Sequence, residues 1–394
     1  MEERKEIKMI ISSDLHFLSK KLYDGGHAFR VMTHNGDGKQ VEKGEKLIDQ
    51  MLLEVGVQRP DVLLITGDLT FNGEWESHLE MAQKLREIQS LGIPVYLLPG
   101  NHDIGHPNAK RYVGDEVFPV KSITKEEFVS IYWDMGYKQA IVRDQESLSY
   151  VVEMDKKVWL FCLDNCARKD GHPLRFGKLS EETLGWLERW LQKAVREGVC
   201  PIVAGHYNLA LHNQVFRHGF SMQNREQVCE VLERYGVRLF LSGHMHMQHR
   251  QKMGNVMDIA TSCPCTYPHQ YGVLRLWKDG YRYQTQRLMM SKEERADYER
   301  FYYNNGIRQA VQELRNCPEI PVDERMKMAY LAARMNEHYF AGTLYQIKDD
   351  ILTSERWKLW QKYGGENFFY KYLSSMLLDS MEDHNYYEYG NQHR

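Results

Sequence analysis

Asp14-Leu15-His16, Gly67-Asp68, Gly100-Asn101-His102-Asp103, Gly205-His206 and Gly243-His244-Met245-His246 follow one another along the chain. Together they supply the side chains that a two-metal hydrolase needs. Carboxylate, amide and imidazole suit borderline divalent ions such as Mn, Fe, Zn, Co or Ni. Two such ions about 3.5–4 Å apart can hold a hydroxide and clamp a phosphoryl group for in-line attack. Asp68 is the natural bridge, because a carboxylate shared by two ions must stand between two groups of ligands. Asp14 and His16 are two residues apart and can lean toward one ion from a strand end. His206, His244 and His246 arrive from later strand ends. Two dications set against two carboxylates and one hydroxide leave such a centre net positive. It would attract an anionic ester and offset charge developing in the transition state.

The elements that must position these groups are legible around them. Each motif follows a short apolar run, at residues 9–11, 62–65, 95–98, 202–204 and 237–241. Read as buried strands, these runs place every motif at a strand's carboxyl end, where open α/β sheets gather their chemistry. Residues 44–55, 74–91, 125–135, 180–196 and 224–235 read as helices between them, with Ser180 as an N-cap followed by Glu181 and Glu182. Residues 149–153 and 157–163 read as one hairpin, and 273–277 and 281–286 as a second turning at Lys278-Asp279-Gly280. Beyond about Met290 the strands stop. Residues 291–316, 322–340, 343–362 and 366–381 have helical composition, punctuated by Pro318, Pro321, Gly342 and Gly364-Gly365. Met328, Leu331, Ala332, Met335 and Tyr339 share one apolar face. The sequence thus predicts an α/β catalytic domain over residues 1–290 and a small all-helical domain over 291–394, with an aromatic core.

Gly-Asp or Gly-His alone is common; Gly-Asn-His-Asp and Gly-His-x-His are more specific, and the ordered set more so. Over about residues 8–290 the chain resembles the calcineurin-like metallophosphoesterase superfamily. The resemblance implies a two-sheet β-sandwich flanked by helices, with two divalent or mixed-valence metal ions at the sheet edge. It implies that Asp14, His16 and His246 hold one ion, that Asn101, His206 and His244 hold the other, and that Asp68 bridges them. His102 is implied to bind no metal but to stand near the leaving-group oxygen as general acid or charge stabiliser. Asp103 would orient it from behind. No ligand position departs from the family pattern. Three further features carry a finer resemblance: the insertion with Gly25-Gly26-His27-Ala28-Phe29 and Asn35-Gly36-Asp37-Gly38-Lys39, the segment Gly205-His206-Tyr207-Asn208-Leu209, and the helical C-terminal region. They resemble the bacterial cyclic-nucleotide phosphodiesterase-like branch. That nominates hydrolysis of phosphodiesters, 3′,5′-cyclic nucleotides among them, by a metal-bridging hydroxide. The same core admits a phosphomonoesterase, a nuclease subunit of a DNA repair complex, or a non-catalytic scaffold.

Four residues are candidates for substrate contact. His27 and Phe29 could cover the site from the insertion and stack on a base; His212 and His218 could reach a phosphate. Cys263-Pro264-Cys265 lacks zinc-site spacing and reads as structural. The 394-residue chain is 42% hydrophobic and 27% charged, as a globular protein is. Its net charge of −3 lends no support to a general binder of nucleic acid or anionic membrane; the resemblance implies a small phosphoester partner, nucleotides among the candidates. No signal region or long apolar span is present, and seven cysteines without framework spacing fit a reducing cytoplasm. No oligomeric state is written in these features. The chemistry needs nothing past Met290, and the C-terminal helices are expected to pack near the sheet edge and narrow it.

Overall fold

The strands that carry the motifs are apolar on both faces, so each sheet needs cover on both sides. A computed structural model, which describes residues 6–34, 38–315, 317–379 and 382–390, meets that need with a sandwich. The first sheet runs in the order Tyr386–Tyr389, Gly280–Arg287, Gln270–Trp277, Ile7–Ser12, Val62–Ile65, Val95–Leu97. The second runs His249–Met253, Val256–Ala260, Leu239–Ser242, Cys200–Gly205, Val158–Leu163, Tyr150–Asp155, Val142–Arg143. Successive side chains on a strand point to opposite faces. In the second sheet Leu160, Cys162, Ile202, Ala204, Leu239 and Leu241 therefore enter the core between the sheets. Their neighbours Trp159, Phe161, Leu163, Val203 and Phe240 enter a second core beneath the helices Glu181–Glu197 and Arg225–Arg234. The helices Val41–Gln58 and Trp75–Ser90 contribute Ile48, Met51, Val55, Met81 and Leu85 to the main core. Ser180 accepts the Thr183 N–H as the N-cap of its helix.

The C-terminal region departs from expectation in two places. Residues 343–362 do not form one helix. They break into Leu344–Gln346, Lys348–Thr353 and Glu355–Tyr363. Ser354 is the reason at the second break: its backbone is extended and its hydroxyl caps the Trp357 N–H, the competition that moves serine from helix interiors to helix starts. Nor is the region helical to its end. After Phe368–Leu377, the strand Tyr386–Tyr389 pairs antiparallel with Gly280–Arg287 and extends the first sheet. Hairpins at Lys110–Val113/Glu116–Pro119 and Cys166–Lys169/His172–Gly177 were not anticipated either. The charged run at residues 1–5, Asn35-Gly36-Asp37 of the insertion, and the helix ends expected at Asn316 and Met381 lie outside the described residues.

Lys292–Leu314, opened by a Ser291/Glu294 capping box, packs against Val322–Phe340, and Trp360 and Tyr372 complete a separate aromatic core. That core also takes in Met245 and Met247. The histidine motif is therefore shared: its even-numbered residues are histidines and its odd-numbered methionines are held by the C-terminal helices. The C-terminal helices therefore pack beside the site, and they reach it through the methionines between the histidines.

The sheets are tied at one point that matters for the site. The buried Tyr150 hydroxyl donates to the Leu97 carbonyl (2.7 Å) and accepts from the Leu97 N–H (3.2 Å). Leu97 ends an edge strand and leads directly to Gly100-Asn101. Tyr150→Phe leaves both backbone groups without their buried partner, so it should destabilise the fold by about 1–3 kcal/mol. Chemical denaturation measures this; an unchanged midpoint and slope would show that the bond is dispensable.

Candidate metal centre

The strand ends meet under tight steric terms. Asp14 N–H donates to Gly67 O (2.9 Å), His16 N–H to Asp68 O (3.0 Å) and Gly243 N–H to His206 O (3.1 Å), so the motifs are laced edge to edge. A Cβ on Gly67 would stand 2.7 Å from His206 Nδ1 and 2.8 Å from the Gly100 Cα. One on Gly100 would overlap the Asp68 carboxylate, and one on Gly243 the Ser13 hydroxyl. The motif glycines are there for close approach. Asp14, His16, Asp68, His244 and His246 all adopt left-handed backbone, with φ of 55°, 45°, 53°, 69° and 56°. Each such residue costs of order 1 kcal/mol or more, a strain that gathers at functional sites.

Their side chains form two groups joined by Asp68: Asp14, His16, Asp68 and His246 in one, Asp68, His206 and His244 in the other. Asp14 Oδ1 lies 3.4 Å from His246 Nε2, and Asp68 Oδ2 lies 3.7 Å from His16 Nε2 and 3.4 Å from His206 Nε2. Asn101 Oδ1 is 3.0 Å from His206 Nε2, which brings the amide into the second group. The tautomers follow from the outer nitrogens. His206 Nδ1 is 2.9 Å from Thr66 O and His244 Nε2 is 2.7 Å from Gly219 O, so each donates there. The nitrogens left facing one another, His206 Nε2 and His244 Nδ1, are then bare and 3.2 Å apart. His16 Nε2 and His246 Nε2 are 2.9 Å apart. The buried Asp14 Oδ1 has no hydrogen-bond partner. Lone pairs converging in a buried space call for cations between them. Burial would lower the His206 pKa, but the Asp68 carboxylate beside it pushes it up to about 9, so this position draws positive charge, a proton or a metal ion. The donor set fits two divalent ions.

His102 stands beside this centre, its ring edge-on to His16 with centroids 5.0 Å apart. Its backbone N–H donates to Asp68 Oδ1 (2.8 Å). Its Nδ1 lies 2.9 Å from both Phe71 O and Asn72 Oδ1, which leaves Nε2 for the cavity that His102 lines. The orienting role expected of Asp103 thus falls to Phe71 and Asn72. Asp103 turns the other way. Its carboxylate accepts Gly100 N–H (2.8 Å) and Thr70 N–H (3.0 Å), bracing the turn that carries Asn101 and His102. Burial and the nearby Asp68 push its pKa up to about 6. The sequence reading also missed His106, whose ring stacks on His102 at 4.7 Å.

The four substrate candidates are not brought to the cavity. Phe29 is buried, stacked on Tyr23 at 4.0 Å in a small core with Leu18, Leu22 and Tyr112. His27 begins the helix His27–His34 and is exposed. His212 is buried against His249 and Asp258, and His218 is exposed. The insertion reaches the site through Lys39 instead. Cys263 and Cys265 are buried with sulfurs 3.1 Å apart, and Cys265 Sγ is 3.4 Å from Asp14 O, so the pair packs behind the first motif. The cavity itself, about 550 Å³, has the motifs on one wall and the C-terminal helices on the other. Phe216, Phe220, Phe368, Asn305, Gln309 and Asn336 line it with Lys39.

Comparison with known proteins accords with this geometry. The chain is similar to a 3′,5′-cyclic-nucleotide phosphodiesterase from Nostoc sp., 27% identical over 52% of this chain and 63% of that protein. It is equally similar to a protein from Arcobacter nitrofigilis named probable glycerophosphodiester phosphodiesterase GpdQ, 27% identical over 52% of this chain and 64% of that one. The chain thus spans less than two thirds of the length of either. A dimetal phosphatase structure from Danio rerio shares the fold, with a TM-score of 0.54 at 13% identity over 72% of this chain and 96% of that one. Residues 295–383 match a family described as the C-terminal domain of cyclic nucleotide phosphodiesterase. Residues 7–248 match the calcineurin-like phosphoesterase family, and the chain belongs to that family.

Proposed function

We propose that this protein is a dinuclear metal-dependent phosphodiesterase acting on small phosphodiesters, 3′,5′-cyclic nucleotides among them. The observation that carries the reading is the cavity that joins the two ligand groups to an aromatic and amide wall supplied by the C-terminal helices. Its volume of about 550 Å³ suits a nucleotide-sized ligand. Phe220, 5.6 Å from the His244 ring, offers a stacking face beside the ligands, and Asn305, Gln309 and Asn336 offer donors and acceptors to a base edge. The similar proteins named for cyclic-nucleotide and glycerophosphodiester phosphodiesterase activity support the substrate class.

In this reading Asp14, His16 and His246 hold one ion, Asn101, His206 and His244 the other, and Asp68 both. Two divalent ions there would offset charge on the phosphoryl oxygens and lower the pKa of water for the attack. Their identity comes from the Mn, Fe, Zn, Co and Ni group that this donor set accepts. Thr66 and Gly219 keep the imidazoles in the tautomer that presents a lone pair inward. His102, held through Nδ1, keeps Nε2 beside the departing alkoxide, which leaves poorly unless protonated or stabilised. We further place the division between the catalytic and C-terminal units near residue 290. A reducing cytoplasm as the working compartment suits cysteines that are all free thiols. No helix among the described residues is long and apolar enough to cross a membrane.

Metal-reconstituted protein assayed in parallel on cyclic nucleotides, glycerophosphodiesters, phosphomonoesters and DNA tests the reading. Small diesters should be the preferred class; preference for monoesters or DNA would overturn it. Asp68→Asn keeps size but removes the shared charge. It should hold at least one ion fewer per chain than the unaltered protein and lose nearly all hydrolysis, by metal counting and turnover. Full metal content with near-normal turnover would refute the bridge.

His102→Ala separates binding from chemistry. The backbone N–H that Asp68 accepts is retained, so metal content should not change. Hydrolysis of natural diesters should fall on the order of 10²–10⁴-fold. The fall should be smaller with a nitrophenolate leaving group, which needs little protonation. An equal loss on both substrates would make His102 a phosphate-positioning residue.

A further inference from the structure

A second convergence of metal-ligating groups lies where the C-terminal segment returns to the second sheet. His249 opens the strand His249–Met253, three residues past His246. Asp379 follows the helix Phe368–Leu377, and His384 precedes the strand Tyr386–Tyr389. The His249 and His384 rings stack with centroids 3.9 Å apart. Their Nε2 atoms approach the same oxygen, Asp379 Oδ2, at 2.9 and 2.8 Å. The three side chains are 1%, 4% and 11% exposed for His249, His384 and Asp379. We propose that His249, Asp379 and His384 bind a further divalent ion of the zinc type, which clips the C-terminal segment to the catalytic sheet.

The ligand chemistry is apt: two imidazoles and a carboxylate, with a fourth position for water, are a common zinc set. Tetrahedral bonds of about 2.0–2.1 Å put ligand atoms roughly 3.3 Å apart. The observed separations of 2.9 and 2.8 Å need to open by only about half an ångström. The same close spacing, 2.9 Å between His16 and His246, marks the catalytic centre.

The hydrogen bonds around the cluster can accommodate the ion. Without an ion, both Nε2 atoms must carry hydrogens to bond Asp379. His249 Nδ1 is then bare and must accept from His212 Nδ1, 2.9 Å away. His212 Nε2 lies 3.1 Å from Asp258 Oδ2 but makes no hydrogen bond there. That oxygen already accepts from Leu209 N–H and Ala210 N–H, and the Ser242 hydroxyl donates to Asp258 Oδ1. With an ion, His249 would bind through a bare Nε2 and its Nδ1–H would donate to His212 Nδ1, the kind of outer hydrogen bond that orients a metal-bound histidine. The arrangement gives up one contact, the 3.3 Å bond from Arg250 N–H to His384 Nδ1, which is the longest of the cluster. Lys348 donates to the Asp379 backbone carbonyl (3.0 Å), and Arg250 pairs with Glu382, so cations already brace the segment without replacing the ion.

The test uses the full chain loaded with Zn²⁺ and passed over a chelating resin. Zinc-edge anomalous diffraction should show a peak between His249, Asp379 and His384 in addition to those at the catalytic centre. Metal counting should find one ion fewer in Asp379→Asn and in His384→Ala. Asp68→Asn should keep the third ion while losing catalytic-centre metal, so failure here and failure of the dinuclear reading are distinguishable. A filled catalytic centre with no anomalous density at the third position overturns the proposal, and so does an Asp379→Asn chain that holds as many ions as the unaltered one. The anomalous map decides even if a variant fails to fold.

Discussion

Two carboxylates, Asp14 and Asp68, are buried side by side at 0% and 1% exposure, and the rest of the site follows from that. Removing a carboxylate from water costs several kcal/mol, and a second like charge nearby adds to it. Burial pushes the Asp68 pKa up, yet the surrounding imidazoles of His206, His102 and His16 outweigh burial and hold the carboxyl well below its usual range. A protein that keeps both groups ionised must supply positive charge between them. Without metal that charge falls to protonated imidazoles; once their inward nitrogens are bare ligands they bring lone pairs instead. Only cations balance the set, and the left-handed turns and motif glycines are the local strain and close packing that hold the ligands ready for them.

The histidine motif shows how the C-terminal helices take part. The left-handed turns at His244 and His246 divide the segment between two surroundings. His244 and His246 meet the ligand groups, while Met245 and Met247 enter the core built around Trp360 and Tyr372. Gln248 N–H continues the contact by donating to Phe340 O at 2.9 Å. Asn213 Nδ2 donates to both the Tyr339 and Ser375 hydroxyls, tying the loop after His206 to the same helices. Packing that fixes the methionines fixes the histidines. The helices Lys292–Leu314, Val322–Phe340 and Phe368–Leu377 are therefore a wall and a brace of the site.

What could be read from the sequence was whatever depends on short range. A ligand motif after an apolar run needs only its strand, so the five strand ends were legible, and so was the convergence of Asp14, His16, Asp68, His206, His244 and His246. Ser180 and the hairpin turns were legible for the same reason. What could not be read depended on which distant surface a side chain meets. Phe29 looked free to stack on a base because nothing nearby in sequence covers it, but Tyr23 and Tyr112 do. His212 looked close to phosphate by sequence distance from His206, but the chain turns it toward His249. Asp103 follows His102 directly, yet adjacent residues at a turn point apart, and its carboxylate went to Gly100 and Thr70. The strand Tyr386–Tyr389 is too short and too uniformly aromatic for its period to show.

The enclosure also bears on substrate size. A dinuclear centre on a bare sheet edge would be open to a polymer, and nothing in the ligands themselves discriminates against one. Here the helices Lys292–Leu314 and Phe368–Leu377 place Asn305, Gln309 and Phe368 across the cavity from His102 and His246. A phosphate at the ligands has a wall within reach of the group it carries. A B-form duplex has a major groove alone about 12 Å wide and would have to displace that wall, and with it the core that holds Met245 and Met247. Moving the wall would therefore loosen the very loop that positions His244 and His246 in the two ligand groups. In the proposed reading, access to the centre and integrity of the centre depend on the same packing.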